Sequence, residues 1–145
     1  MPSKTLILLL ILVTAGWYWT NERPASQFRA DLAASESPYG FVSVPMDRNA
    51  PRDAVLIVSA LNCPSGGTQR AQALVDGLRE ARVAYEWRNH YGIAPGPIHD
   101  ELAAGLKRLE RLMNREDPAV FINHMGSPNP SLEQVLAEYA RQLGR

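Results

Sequence analysis

The pattern of apolar and polar positions divides the chain into three consecutive parts. Residues 5–19 are uncharged and predominantly apolar, and residues 21–38 are polar and rich in Ala, Ser and Pro. In residues 39–145, short apolar runs alternate with segments that carry an apolar side chain at every third or fourth position. This alternation is typical of strands and helices that follow one another in a single α/β domain.

Short apolar runs predict the strands of this domain. Residues 54–61 (AVLIVSAL) form a continuous run rich in branched side chains, which is expected of a central strand covered by helices on both faces. Residues 83–88 alternate apolar and polar side chains, and residues 119–122 form another apolar run. Residues 39–44 predict a further strand at an edge of the sheet.

Three segments have the spacing of helices with one apolar face, namely residues 68–81, 99–113 and 130–143. The first of these helices connects the predicted strands at residues 54–61 and 83–88. A helix in that position is a right-handed crossover, so the two strands are predicted to be parallel.

The start of the last predicted helix has two alternatives. Asn129 can cap it with Pro130 in the first helical position, or Ser131 and Gln134 can form a capping box one turn later. Both alternatives predict a helix that ends near residue 143, and they differ in the residue at which it begins.

The apolar N-terminal segment predicts membrane targeting. Lys4 precedes it and no charge lies within residues 5–19, so the positive charge stays in the cytoplasm and the rest of the chain is exported. As a helix, such a stretch is about 22 Å long, which is shorter than the ~30 Å hydrocarbon core of a bilayer. Residues 1–20 are therefore interpreted as a membrane anchor or a signal peptide.

Two features of this segment bear on the choice between anchor and signal peptide. Val13 and Ala15 fit the small-residue pattern of a cleavage site, whereas the aromatic cluster at residues 17–19 favours an uncleaved anchor, because Trp and Tyr rings settle at the headgroup level. With an anchor, residues 21–38 are a linker, and the domain of residues 39–145 faces the periplasm from the bacterial inner membrane as part of a single-pass protein. With a signal peptide, the domain is secreted to the periplasm.

Charge and cysteine content narrow the classes of function. The 15 basic and 15 acidic residues cancel and are interspersed, so no basic surface for nucleic acid is expected. Cys63 is the only cysteine, so an internal disulfide is excluded and packing alone must stabilise the domain. The spacing of His90, His99 and His124 matches none of the compact zinc patterns, so we expect no metal site.

Cys63 follows the first long strand, within the sequence NCPSGG of residues 62–67, and precedes the first long helix. A thiol at a helix N-terminus faces unpaired backbone N–H groups, which favour the nucleophilic thiolate. Gly66 and Gly67 allow the backbone to approach a bound sulfur or anion closely. The alternative is structural: Cys63 is then a small buried apolar residue, and residues 65–67 are a plain turn.

The order strand, cysteine loop, helix, strand, helix, proline, strand and helix over residues 54–143 resembles the thioredoxin-like fold, and most closely a glutaredoxin-type domain. The resemblance is carried by residues 62–66, by the helix that includes residues 69–78, and by the sequence DPAVFIN at residues 117–123. It implies an α/β fold, a thioredoxin-like βαβαβ(β)α sandwich.

The resemblance also implies roles for particular residues. Cys63 is implied to be the nucleophile at the start of the first long helix, and Pro118 a cis proline that lies against it and positions the partner sulfur. Beside these two residues, the predicted binding residues are Pro64, Ser65, Gly66, Gly67 and Asp117.

Three features depart from that family. Gly66 stands where two-thiol members have a second cysteine, so only a one-thiol cycle is open. Asp117 stands where glutathione-using members have an apolar residue before the cis proline. Residues 124–128 replace a Gly-Gly turn and are predicted to be too short for a well-formed fourth strand. Glutathione is therefore disfavoured, and no other cofactor is expected.

These inferences lead to three hypotheses of function. The first is a membrane-tethered periplasmic protein in which Cys63 takes part in one-thiol disulfide exchange or redox sensing with an envelope protein thiol. The second is a non-catalytic binding module of the same fold, which holds an envelope protein or peptide with residues 63–67 and Pro118. The third is an anion or small-ligand binder at the helix N-terminus near Gly67, whose affinity would be insensitive to Cys63→Ser.

Overall fold

The computed structural model describes residues 36–60, 65–94, 96–115 and 117–144, which form five strands and three helices. The strands are β1 (Val42–Ser43), β2 (Val55–Val58), β3 (Tyr85–Arg88), β4 (Ala119–Ile122) and β5 (Met125–Pro128). The helices are α1 (Gly66–Glu80), α2 (Asp100–Met113) and α3 (Leu132–Leu143). The predicted α/β class is confirmed.

Some of the predictions fall outside the described residues. They concern the anchor or signal peptide of residues 1–20, most of the linker of residues 21–38, and Cys63 and Pro64, which precede α1 in the sequence. Within the part of the chain that is described, no helix combines the length and the apolar character needed to cross a bilayer.

The five strands form one mixed sheet in the order β1-β5-β4-β2-β3. β2 and β3 are parallel, with Val55 opposite Tyr85, and α1 connects them. The parallel crossover predicted from the helical spacing is therefore confirmed. The other neighbouring pairs, β2 with β4, β4 with β5 and β1 with β5, are antiparallel.

The prediction that residues 124–128 are too short for a fourth strand is wrong, since Met125–Pro128 pair along their whole length with β4. Asn123 takes a positive φ of 53°, a conformation that asparagine tolerates and that helps to close a tight turn between antiparallel strands. The Val44 N–H also donates to the His124 carbonyl oxygen over 2.8 Å. The short segment is stable as a strand because it is bonded on both edges, to β4 and to β1.

The first helix begins two residues earlier than the spacing predicts, at Gly66. Ser65 is its N-cap, and the Ser65 Oγ accepts a hydrogen bond from the Thr68 N–H over 3.3 Å. Gly66 and Gly67 are therefore helical, and the interpretation of residues 65–67 as a plain turn is wrong.

The last helix uses the second of its two predicted caps. The Ser131 Oγ accepts from the Gln134 N–H over 3.2 Å, and the Gln134 Oε1 accepts from the Ser131 N–H over 2.9 Å. This capping box satisfies two backbone donors at once, and α3 begins at Leu132.

The sheet separates two apolar layers, as predicted for a central strand covered on both faces. Alternate residues of β2 supply both layers: Val55 and Ile57 belong to the layer under α1 and α3, and Leu56 and Val58 to the layer under α2. Burial of such side chains is the main favourable term in folding. The first layer also contains Phe41, Ala71, Leu74, Val75, Leu78, Val120, Ile122, Met125 and Val135, and the second contains Val44, Leu109, Leu112, Ala119 and Phe121.

A buried carboxylate connects α3 to the segment before β1. Glu138 has 0% exposed surface, and it accepts hydrogen bonds from the Arg141 Nε over 3.0 Å and from the Gln142 Nε2 over 2.9 Å. Burial by itself raises the pKa of Glu138, but hydrogen bonds from Arg141, Gln142 and Ser37 outweigh it and lower that pKa below its ordinary value. Ser37, which lies in the predicted linker, is thus buried against the folded domain.

Candidate functional site

Several predicted site residues come together where the start of α1 meets the chain before β4. The Asp117-Pro118 peptide bond is cis, the isomer that the family resemblance implies. Pro118 is fully buried, and its carbonyl oxygen accepts from the Asn129 N–H over 2.7 Å. This hydrogen bond ties the proline segment to the chain that leads from β5 into α3.

Gly67 allows Asp117 to lie directly against the first turn of α1. Gly67 is buried, and a Cβ at this position would lie 2.5 Å from the Asp117 Cβ and 3.2 Å from the Asp117 Oδ2. The first separation is far shorter than van der Waals contact, so any other residue at position 67 would have to displace Asp117. The space beside Gly67 is therefore occupied by a side chain of the protein itself.

The carboxylate of Asp117 changes the electrostatics of this helix start. A negative charge beside a helix N-terminus interacts favourably with the helix dipole and stabilises α1. The same charge disfavours a second anion at that place, including an oxyanion ligand or a thiolate. The third hypothesis, an anion binder near Gly67, loses support for this reason.

Arg70 links the first turns of α1 to the proline segment. Its Nε donates to the Asp117 carbonyl oxygen over 2.8 Å, and its Nη1 lies 3.2 Å from the place that a Cβ on Gly66 would take. Arg70 was not predicted as a site residue. Its position four residues after Gly66, on the same side of the helix, is the signal that could have identified it.

A groove of about 450 Å³ lies between α1 and α3. Arg70 lines one end, and Ala73, Leu74 and Leu132 contribute apolar surface. Beyond these residues the two helices close on each other, because the Leu132 Cδ2 lies only 2.3 Å from the place that a Cβ on Gly77 would take. No sequence pattern indicated this groove, since it depends on how closely two helices that are distant in sequence pack.

A second charged cluster lies on the α2 face of the sheet. The Asp47 side chain, 2% exposed, accepts from the Arg88 Nη1 over 3.1 Å and also from the Gly92 N–H. Burial raises the pKa of Tyr91, whose hydroxyl donates to the Pro45 carbonyl oxygen over 2.5 Å. Because these groups satisfy one another, we interpret the cluster as a structural link between the loop before β2 and the loop after β3.

The structure therefore gathers part of the predicted site and adds one residue to it. The added residue is Arg70. The three histidines are not brought together, since among the described residues no three His, Cys, Asp or Glu side chains lie close enough to hold a metal ion. Cys63 and Pro64 lie outside the described residues. The predicted residues found at the start of α1 and before β4 are Ser65, Gly66, Gly67, Asp117 and Pro118.

Comparison of the chain with protein-family models, with curated proteins and with solved structures finds no match. What the site can do is therefore argued from its own chemistry. At one edge of the domain it offers a carboxylate, a guanidinium and an apolar groove, and all three lie near the helix start that follows the lone cysteine.

Proposed function

We propose that this chain is a thioredoxin-like protein of glutaredoxin type, tethered to the bacterial inner membrane by residues 1–20, that carries out one-thiol disulfide exchange or redox sensing in the periplasm. The reacting group is Cys63. The observation that carries the proposal is the position of the segment of residues 117–118, which precedes β4 and lies against Gly67 in the first turn of the helix that Cys63 precedes by three residues.

The order of the elements supports the thioredoxin-like part of the proposal. From β2 to α3 the chain runs strand, helix, strand, helix, strand, strand, helix, with the first two of these strands parallel. This order fits the βαβαβ(β)α sandwich that the sequence resemblance implies. The proline segment precedes the third strand of the series, as it does in the resemblance.

In the proposed reaction, the Cys63 thiolate attacks one sulfur of a partner disulfide. A bond forms between these two sulfurs, the partner disulfide bond breaks, and its other sulfur leaves as a thiolate that takes up a proton. An external thiolate then attacks the partner sulfur of the mixed disulfide, which releases the Cys63 thiolate and leaves the partner bonded to the external thiol. The external thiol is required because Gly66 stands where a second cysteine would be.

The first test is the rate of alkylation of Cys63 against pH, measured on the full chain in a mild detergent. Cys63 is the only thiol, so the reaction reports on this residue alone. The proposal predicts a thiol pKa clearly below the free-thiol value of about 8.5. A thiol that resists alkylation at every pH at which the fold persists would refute the redox function.

A variant of Asp117 makes this test specific to the proposed site. Asp117→Asn removes the negative charge that faces the start of α1, so we expect alkylation at pH 7 to become about threefold faster. Asp76→Asn, an exposed change farther along the same helix, serves as the control and should leave the rate unchanged. Equal rates in wild type and Asp117→Asn would mean that Asp117 does not face Cys63.

The same carboxylate favours a second candidate, a non-catalytic binding module for an envelope protein or peptide. A fixed negative charge beside Gly67 disfavours the thiolate, whereas the adjoining groove and Arg70 offer a surface for a partner. Partner binding that survives Cys63→Ser, together with an unreactive thiol, would favour this candidate over disulfide exchange.

A further inference from the structure

The groove between α1 and α3 combines an apolar surface with a single charge. Ala73, Leu74 and Leu132 supply apolar surface, Arg70 supplies the charge, and no acidic residue of the described chain lines it. Its volume of about 450 Å³ lies in the range of pockets that hold ligands. Arg70 therefore gives the groove one positive charge, at the end nearest the start of α1.

Arg70 is held so that part of its guanidinium is available to a partner. The bond from its Nε to the Asp117 carbonyl oxygen fixes the side chain. Its two terminal nitrogens have no hydrogen bond or ion pair to any residue that the structure describes. A planar guanidinium with free N–H groups on one side is suited to a carboxylate, which it can bind through two parallel hydrogen bonds.

We propose that this groove binds an extended acidic segment of a partner protein, with a carboxylate side chain on Arg70 and an apolar side chain two residues away between Leu74 and Leu132. Side chains two residues apart point to the same side of an extended chain, so both can enter one groove. The inference rests on the proposed function, since it names the class of partner that the site receives.

The test uses the hexapeptide acetyl-Ala-Leu-Ala-Glu-Ala-Ala-amide and the same peptide with Gln in place of Glu. Affinities are measured by titration calorimetry on the full chain in a mild detergent, with Cys63→Ser in every sample. We expect the Glu peptide to bind roughly tenfold more tightly than the Gln peptide, as a charge-assisted hydrogen-bond pair provides. Arg70→Gln should abolish this difference.

Two further variants keep the test independent of folding effects. The first is Arg79→Gln. Arg79 lies on the same helix, is exposed and is paired with Asp76, so the protein with this substitution should still bind the Glu peptide more tightly than the Gln peptide. Ala73→Glu leaves Arg70 intact but places a negative charge in the groove, so it should weaken the Glu peptide more than the Gln peptide. A Leu to Ser change in the peptide should weaken binding in all of these proteins.

Several outcomes would overturn the inference. They are equal affinities for the Glu and Gln peptides, a Glu preference that persists in Arg70→Gln, no saturable binding of the Glu peptide at millimolar concentration, or tighter binding of glutathione than of the Glu peptide. A failure of this inference can be distinguished from a failure of the proposed function. The peptide measurement contains no reactive thiol, and the alkylation measurement contains no peptide.

Discussion

At the scale of single residues, the contact between Gly67 and Asp117 determines how α1 meets the chain before β4. From the sequence, Asp117 is only a departure from a family pattern, and Gly67 is only a flexible position. In the structure the two residues are in contact, because the absence of a side chain at Gly67 makes room for the Asp117 side chain. Arg70 adds a hydrogen bond to the Asp117 carbonyl oxygen and strengthens the same junction.

Gly67→Ala tests this contact. The added methyl group would overlap the Asp117 Cβ, which is attached to the backbone and cannot rotate away, so we expect the free energy of unfolding to fall by about 1–3 kcal/mol. The measurement is urea unfolding of the full chain. Gly96→Ala is the matched control, because a Cβ there would meet nothing within 4 Å, and it should change stability by less than about 0.5 kcal/mol. Similar losses for both variants would show that the Asp117 contact is not tight.

At the scale of elements, α3 shows both what local sequence can specify and what it cannot. Its capping box is a local pattern of two residues three apart, and the structure confirms it. Glu138, in contrast, lies in the middle of a segment with ordinary helical spacing, where a glutamate usually faces solvent. Its burial follows from the chain near Ser37, which covers this part of α3.

The buried carboxylate predicts a specific pH dependence of stability. Because the folded-state pKa of Glu138 lies below its ordinary value, its stabilising contribution is present above the unfolded-state pKa of about 4.3 and is lost as the pH falls below it. Glu138→Gln should lower the free energy of unfolding by about 2 kcal/mol at pH 7 and much less at pH 3. Urea unfolding at a series of pH values measures both.

Glu133→Gln is the control for this prediction, since Glu133 is exposed on the same helix. We expect it to change stability by no more than about 0.5 kcal/mol at pH 7. If Glu138→Gln destabilised the protein equally at pH 7 and pH 3, the effect would be one of packing and not of charge.

At the scale of the whole molecule, the proposal joins an exported domain to a membrane tether. The proposed direction of export rests on Lys4 and the uncharged residues 5–19, and the proposed retention of the segment rests on the aromatic residues 17–19. These features are properties of the sequence alone. They make a prediction about the location and length of the protein in a bacterial cell.

We expect the protein to sediment with the inner membrane, to retain residues 1–20, and to be digested when protease is added to spheroplasts. Mass spectrometry of the membrane-extracted protein measures the N-terminus. Deletion of residues 2–20 is the control and should leave the chain in the cytoplasm. A shortened, soluble periplasmic form would support a signal peptide, and a protease-protected full-length chain would contradict export.

The sequence by itself determined the α/β class, the parallel β2–β3 pair, and the approximate positions of the three described helices and of β1, β2, β3 and β4. These features are local, because helical and strand periodicity and capping depend on residues a few positions apart. Only the tertiary structure decided the pairing of β5, the Gly67–Asp117 contact and the groove at Arg70. Each of these requires segments distant in sequence to meet, and their separation depends on side-chain volumes and hydrogen bonds that periodicity does not encode.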